Sequence, residues 1–281
     1  LPDIARLQNY EPPVMTRVHA SDGQLVAEYA HEKRLFLPIQ LIPEKVKTAF
    51  LSAEDKDFYR HPGIDVYSIG AAMVRNVENF MSGRRLVGAS TITQQVAKNF
   101  LLTNERSVDR KVREMLLSLR MEQAYTKDQI LELYLNEIYL GFGSYGVAAA
   151  SLLYFDKPVG DLDLPEVAFL AALPKAPSNY NPYRNYDAAL SRRNWVIDQI
   201  VANGYATAEE GEDAKASPIK VTRRELETQV FASEYFVEEV RRVLINRYGE
   251  KGLYEGGLSV RTTLDPKLQV MARESLQKAL L

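Results

Sequence analysis

From Pro43 to about residue 215 the apolar residues recur at helical spacing almost without interruption, and this pattern confines the chain to a mainly α-helical fold. Ile42, Val46, Ala49, Phe50 and Ala53 share one helix face. Pro43 opens that helix where proline is tolerated, and His61-Pro62-Gly63 closes the segment. Residues 65–82 are amphipathic up to a break at Ser82-Gly83, and residues 91–102 resume the pattern. Val108, Val112, Met115 and Leu119 draw an apolar stripe on a helix over about 105–124. Thr126 caps the next helix, over 127–139, which Gly141-Phe142-Gly143 ends. Further helices are predicted over 145–155, 164–173 and 187–203.

Short β flanks are expected at both ends. Residues 1–40 form an N-terminal flank in which Ser21-Asp22-Gly23 turns between two extended runs, 14–18 and 25–29, as in a hairpin. Residues 41–215 are the helical body. Beyond residue 216 the pattern changes: helices over 231–248 and 266–281 frame a strand-like alternation of Leu258, Val260, Thr262 and Leu264. Residues 216–281 are too few for a domain and read as a linker toward a part that is missing.

Composition removes several classes of function. The chain has 281 residues, 46% hydrophobic and 26% charged, an ordinary globular balance. A net charge of −2 gives no reason to expect nucleic acid. Locally the balance is different, since residues 84–113 carry seven basic and two acidic side chains. Cysteine is absent, which excludes disulfides and thiol chemistry and fits an extracytoplasmic protein. The three histidines, His19, His31 and His61, lack metal-ligand spacing, so no metal site is expected. No apolar run reaches the roughly 18–20 residues of a membrane span, and an anchoring segment is expected to be missing before Leu1.

Three places could carry chemistry. Residues 88–95, Gly88-Ala89-Ser90-Thr91-Ile92-Thr93-Gln94-Gln95, gather hydroxyls and carboxamides. They read either as a capped helix start or as a polar wall for a sugar or phosphate ligand. Glu54 is either a solvated helix end or a general acid or base against an apolar wall, where desolvation raises a carboxylate pKa. Glu114 lies one turn from Arg110 and Lys111. It is either an ion pair on a wet face or part of a cationic site, because Lys98, Arg106, Arg110, Lys111 and Arg113 exceed what one acid needs and suit phosphate.

In this order the blocks resemble a known family. Glu54-Asp55-Lys56-Asp57-Phe58-Tyr59-Arg60-His61-Pro62-Gly63 resembles its motif Glu-Asp-x-x-Phe-x-x-His-x-Gly, and residues 88–95 with Lys98-Asn99 resemble the second. Arg110-Lys111-Val112-Arg113-Glu114 fits Arg-Lys-x-x-Glu, and residues 130–141 fit the fourth. The family is the peptidoglycan glycosyltransferases, found alone or as the N-terminal module of bifunctional (class A) penicillin-binding proteins. The likeness spans about residues 40–215, with Ala89 where a second glycine is common.

The resemblance implies a lysozyme-like glycosyltransferase fold with a large lobe and a small membrane-dipping lobe. It implies that lipid II is polymerised into a growing glycan strand, with inversion at MurNAc C1 and release of undecaprenyl pyrophosphate. Glu54 would be the base, and Lys98, Arg106 and Lys111, with Arg110 in the same row, would hold the pyrophosphate. Glu114 would orient that cluster or the sugar, and Asp55, Ser90 and Gln95 would support the site. The likeness requires no cofactor and leaves room for stimulation by a divalent cation such as Mg. It places the protein at the periplasmic face of the bacterial inner membrane, on the membrane surface, with a C-terminal transpeptidase domain missing. A segment at 76–87 is expected to cover the lipid. The competing readings are a lytic transglycosylase or lysozyme-like enzyme that cleaves glycan, and a noncatalytic scaffold that binds lipid II.

Overall fold

The computed structural model describes residues 13–83, 90–101, 108–222 and 226–280. Arg106, Gly88 and Ala89, and residues 84–87 of the expected covering segment, lie outside the described residues. The fold is mainly α, in two compact units.

The first unit takes its described residues from 37–138 and 159–219. Its helices are α1 (Glu44–Glu54), α2 (Val66–Met81), α3 (Ile92–Leu101), α4 (Val108–Ala124), α5 (Lys127–Glu137), α7 (Leu164–Ala172), α8 (Tyr186–Ala202) and α9 (Ala208–Ala216). Helix α7 packs on α1 and α8, and α3 on α4 and α5. The core is built from Val46 and Phe50 of α1, Ile130, Leu131 and Leu135 of α5, Val167 to Leu170 of α7 and Val196 and Ile197 of α8. Each of the valine, leucine, isoleucine and phenylalanine side chains among these contributes roughly 1.5–3 kcal/mol when withdrawn from water.

One local expectation holds and one needs correction. Helix α1 ends before His61, at Glu54, where Asp55 leaves the helix (φ −161°, ψ 73°) to bond elsewhere. The stripe expected on α4 is not its buried face: Val112 is 49% exposed, whereas Glu114, Leu117, Ser118 and Met121 are buried. The inward face does repeat at i, i+3, i+4 and i+7, but two of its four side chains are polar, so hydropathy alone misplaced it. Helix α2 is capped by Asp65, and although its sequence is amphipathic none of its residues is buried.

The second unit takes its described residues from 13–36, 139–158 and 220–280. Strands β1 (Thr16–His19) and β2 (Leu25–Tyr29) form the expected hairpin. Strand β5 (Ser259–Arg261) adds to β1 in parallel, in the order β2-β1-β5, so the two ends of the sequence share one sheet. Two-residue strands β3 (Lys33–Arg34) and β4 (Ser144–Tyr145) pair nearby, and α6 (Val147–Phe155) follows β4. Helix α10 (Leu226–Glu255) is interrupted at Ser233 and at Gly249, where φ is +73°, and α11 (Pro266–Leu280) closes the described chain. Among the described residues no helix is long and apolar enough to cross a membrane.

Candidate active site

Glu54 is the last residue of α1, and its position follows from what Asp55 does next. Asp55 is buried and accepts the backbone N–H of Ile92 at 2.9 Å, the first residue of α3. Its carboxylate also lies 2.9 and 3.1 Å from His61 Nε2. His61 Nδ1 accepts the Gly63 N–H at 3.2 Å, so the ring proton sits on Nε2 and points at Asp55. A carboxylate at a helix N-terminus is favoured by the free N–H groups and the helix dipole. Asp55 thus joins the end of α1 to the start of α3 and leaves Glu54 at the junction.

Residues 90–95 divide between two tasks. Thr91 caps α3: its Oγ1 accepts the Gln94 N–H at 3.2 Å, and Gln94 Oε1 accepts the Thr91 N–H at 2.9 Å, a capping box. Thr91 Oγ1 also donates to Gly63 O at 2.6 Å. Thr93 donates to Glu122 at 2.6 Å, and Lys127 donates to Glu122 and to His61 O, both at 2.7 Å. The Lys127 ammonium lies 4.4 Å over the Phe58 ring. These are supports. Gln95 and Ser90 instead touch the acids and bases of the site, Gln95 Nε2 donating to Glu54 at 2.8 Å and Ser90 Oγ accepting from Lys111 Nζ at 2.7 Å.

The Glu54 carboxyl is not a solvated helix end. Protein atoms surround it, though part of the residue remains open, and burial pushes its pKa above the ordinary 4.5. The Gln95 hydrogen bond, Arg192 and Lys175 act against that rise, and Asp55 adds to it. Burial in turn pulls Lys175 and Arg192 down, with Glu54 holding both up. Glu114 is not on a wet face either: it is 3% exposed and bonded to Lys111. Lys98 is exposed in the last turn of α3, and Arg110 is partly buried on α4.

A cavity of about 250 Å³ is lined by Ser52, Glu54, Asp55, Ser68, Arg75, Ser90, Thr91 and Trp195, among others. It therefore contacts Glu54 directly and reaches Lys111 and Glu114 through Ser90. Among the described residues no group of three or more His, Asp or Glu is placed to hold a metal ion.

Sequence reading missed Ser52, Lys175, Arg192 and Trp195, all in the first unit. The signal available was the adjacent pair Arg192-Arg193 beside the sole tryptophan. Only one of that pair faces the site. Arg193 is fully buried and bonds Ser217 O at 2.6 Å and Lys215 O at 3.0 Å, holding the end of α9.

A carboxyl kept from water beside a cavity lined by serine and threonine hydroxyls, with lysines and arginines near it, suits a polar substrate with an anionic part. The family model described as Transglycosylase matches residues 22–201, and the chain belongs to that family. Its particular likeness is to proteins named penicillin-binding protein 1A. That of Rickettsia bellii is 48% identical over 281 residues, which are 100% of this chain and 35% of the relative. The Escherichia coli protein is 41% identical over 281 residues, again 100% of this chain and 32% of the relative. The 2.6 Å crystal structure of penicillin-binding protein 1A from Haemophilus influenzae matches with a TM-score of 0.52 and 27% identity, covering 94% of this chain and 29% of that one. The chain spans about a third of the length of the curated relatives it matches.

Proposed function

We propose that this chain is the peptidoglycan glycosyltransferase part of a larger, bifunctional protein, and that it polymerises lipid II. The observation that carries the reading is the cavity with Glu54 in its wall and Ser90, bonded to Lys111, also in its wall. Glu54 removes the proton from the 4-hydroxyl of the acceptor GlcNAc. That oxygen forms a bond to C1 of the donor MurNAc from the face opposite the leaving group. The C1–O bond to phosphate breaks, its electron pair leaves with undecaprenyl pyrophosphate, and the configuration at C1 inverts. A base whose pKa is raised by burial is suited to this step, because it binds the proton more strongly than an ordinary carboxylate does.

Lys111 and Lys98, with Arg106 and Arg110 in the same row, hold the pyrophosphate and stabilise the charge that develops on it. Glu114 fixes the Lys111 ammonium through their ion pair, Ser90 shares that ammonium, and Gln95 orients the Glu54 carboxylate. Asp55 fixes the junction that carries Glu54. The reading requires no cofactor, and a divalent cation such as Mg enters it only as a stimulant.

A lipid-linked substrate calls for a membrane surface, and the reading takes this to be the periplasmic face of the inner membrane. The exposed apolar side chains of α2, among them Tyr67, Met73, Phe80 and Met81, suit a small lobe that dips into lipid. The anchor and the transpeptidase domain belong to the rest of the protein. A raised glutamate would also serve as the acid of a glycan-cleaving enzyme, but cleavage expels no pyrophosphate and gives Lys98 and Lys111 nothing to neutralise. The test is incubation with labelled lipid II. We expect polymer from the native chain and a loss of about 10²–10⁴-fold in Glu54→Gln. Digestion of finished glycan without polymer, or normal polymerisation by the variant, overturns the reading.

A further inference from the structure

The chain contains one tryptophan, Trp195, and it is not in the core: it is 39% exposed on α8 and lines the cavity that contains Glu54. The guanidinium of Arg192 lies 3.9 Å over its ring. A large, rigid aromatic surface left open at a site wall is costly in water unless it is covered by something flat and weakly polar. The axial C–H face of a pyranose is such a surface. Its hydrogens carry slight positive charge and meet the negative face of the ring, while its hydroxyls remain free to bond at the edge.

The wall beside the ring holds unused polar atoms. Among the described residues, Nε of Arg192, which stacks on the ring, and the hydroxyl of Ser52, which is 6% exposed and lines the same cavity as Trp195, are buried without a hydrogen-bond partner. A sugar hydroxyl or N-acetyl group entering the cavity would meet the Ser52 side chain. Trp195 lines the same cavity as the Glu54 carboxylate, and the Arg192 guanidinium stacks on its ring. The ring is on the side of the base, and the base takes its proton from the acceptor.

The geometry points to Trp195, backed by Arg192, as the stacking platform that positions the acceptor sugar over Glu54. This rests on the polymerase reading, since that reading makes the sugar at Glu54 the acceptor. Trp195 is a positioning residue: it holds the GlcNAc ring so that its 4-hydroxyl meets the carboxylate, and it takes no part in proton transfer.

A lone tryptophan makes the test direct, because all indole fluorescence of the 281-residue chain comes from Trp195. Titration with chitobiose, the β-1,4-linked GlcNAc disaccharide, is expected to change that emission saturably, whereas inorganic pyrophosphate leaves it unaltered. No saturable change with chitobiose, or an equal change with pyrophosphate, overturns the proposal. In lipid II polymerisation, Trp195→Leu should raise KM roughly tenfold, with the effect falling on KM rather than kcat, and Trp195→Phe should restore most of it. An unchanged KM in Trp195→Leu, or a loss confined to kcat, also overturns it. The leucine keeps an apolar side chain without the flat ring, and a matching thermal midpoint shows that the variant folds. Absence of polymer from the native chain would sink the polymerase reading alone, and the chitobiose titration would still decide whether the ring binds sugar.

Discussion

Glu54 has two properties that work against each other. On the proposed reading its carboxylate must be charged to accept a proton, yet burial favours the neutral form. The result is a pH dependence with a definite sign. In the unfolded chain the group ionises near the ordinary value of 4.5, and in the folded protein it ionises at higher pH. Between those two values the folded state binds more protons, so Glu54 erodes stability as pH rises through the window, and above it the loss is constant. Glu54→Gln keeps the shape and the contact with Gln95 but cannot ionise. We expect it to melt at the native temperature near pH 4 and above it at pH 7–8, by roughly 2–4 °C for each kcal/mol of ionisation cost removed. Melting curves of the two proteins across that range check this. A variant no more stable at pH 8 than at pH 4, relative to the native protein, would mean that the carboxylate is solvated. The rate should show the converse, with kcat/KM of the native chain rising through the same window as the base ionises. The sequence offered Glu54 as a candidate but left it equally a wet helix end. Its neighbours across the fold, Gln95, Arg192 and Lys175, decide between the two, and their distance along the chain hides them from local pattern.

At the scale of elements, the site depends on how α3 and α4 are held against the segment after α1. Thr91 and Gln94 were legible as helix-start residues because a capping box is a local device. The packing of α4 was not legible, since Glu114 and Ser118 occupy inward positions that hydropathy assigns to the surface. One contact fixes this arrangement. Gly63 has φ +93°, and a Cβ there would meet Ser118 O at 2.8 Å and Glu122 Cγ at 2.9 Å. No other residue fits without moving α4, to which Glu114 and Lys111 belong. Gly63→Ala should therefore lose about 1–2 kcal/mol to the backbone conformation and about 1–3 kcal/mol to overpacking. Urea unfolding should show a lower midpoint with little change in slope. A loss under about 0.5 kcal/mol, the size of an ordinary surface change, would mean that α4 shifts freely.

At the scale of the whole molecule, the second unit gathers three stretches of sequence far apart in the chain. The hairpin of β1 and β2 was readable from its turn, and the break in α10 at Gly249 falls where the predicted helix over 231–248 stops. The partnership of β1 with β5 was not readable, because residues 17–19 and 259–261 carry no local mark of one another. Residues 257–264 therefore look like part of a linker, although in the fold β5 supplies an outer strand of the sheet. Arg17 N bonds Leu258 O at 2.8 Å, Thr262 N bonds His19 O at 2.8 Å, and Leu264 is buried with Val18, Val26 and Leu253 in one cluster. An isolated two-stranded hairpin is marginal in water, so β5 and the residues packed with it are what make β1 and β2 stable. Deleting residues 257–281 should lower hydrogen-exchange protection of the Val18 and Ala27 amides by about tenfold or more. Exchange at the core amides of Ile130 and Leu131, in the first unit, serves as the internal reference for chain integrity. Unchanged protection at Val18 would show that the hairpin stands by itself, without β5.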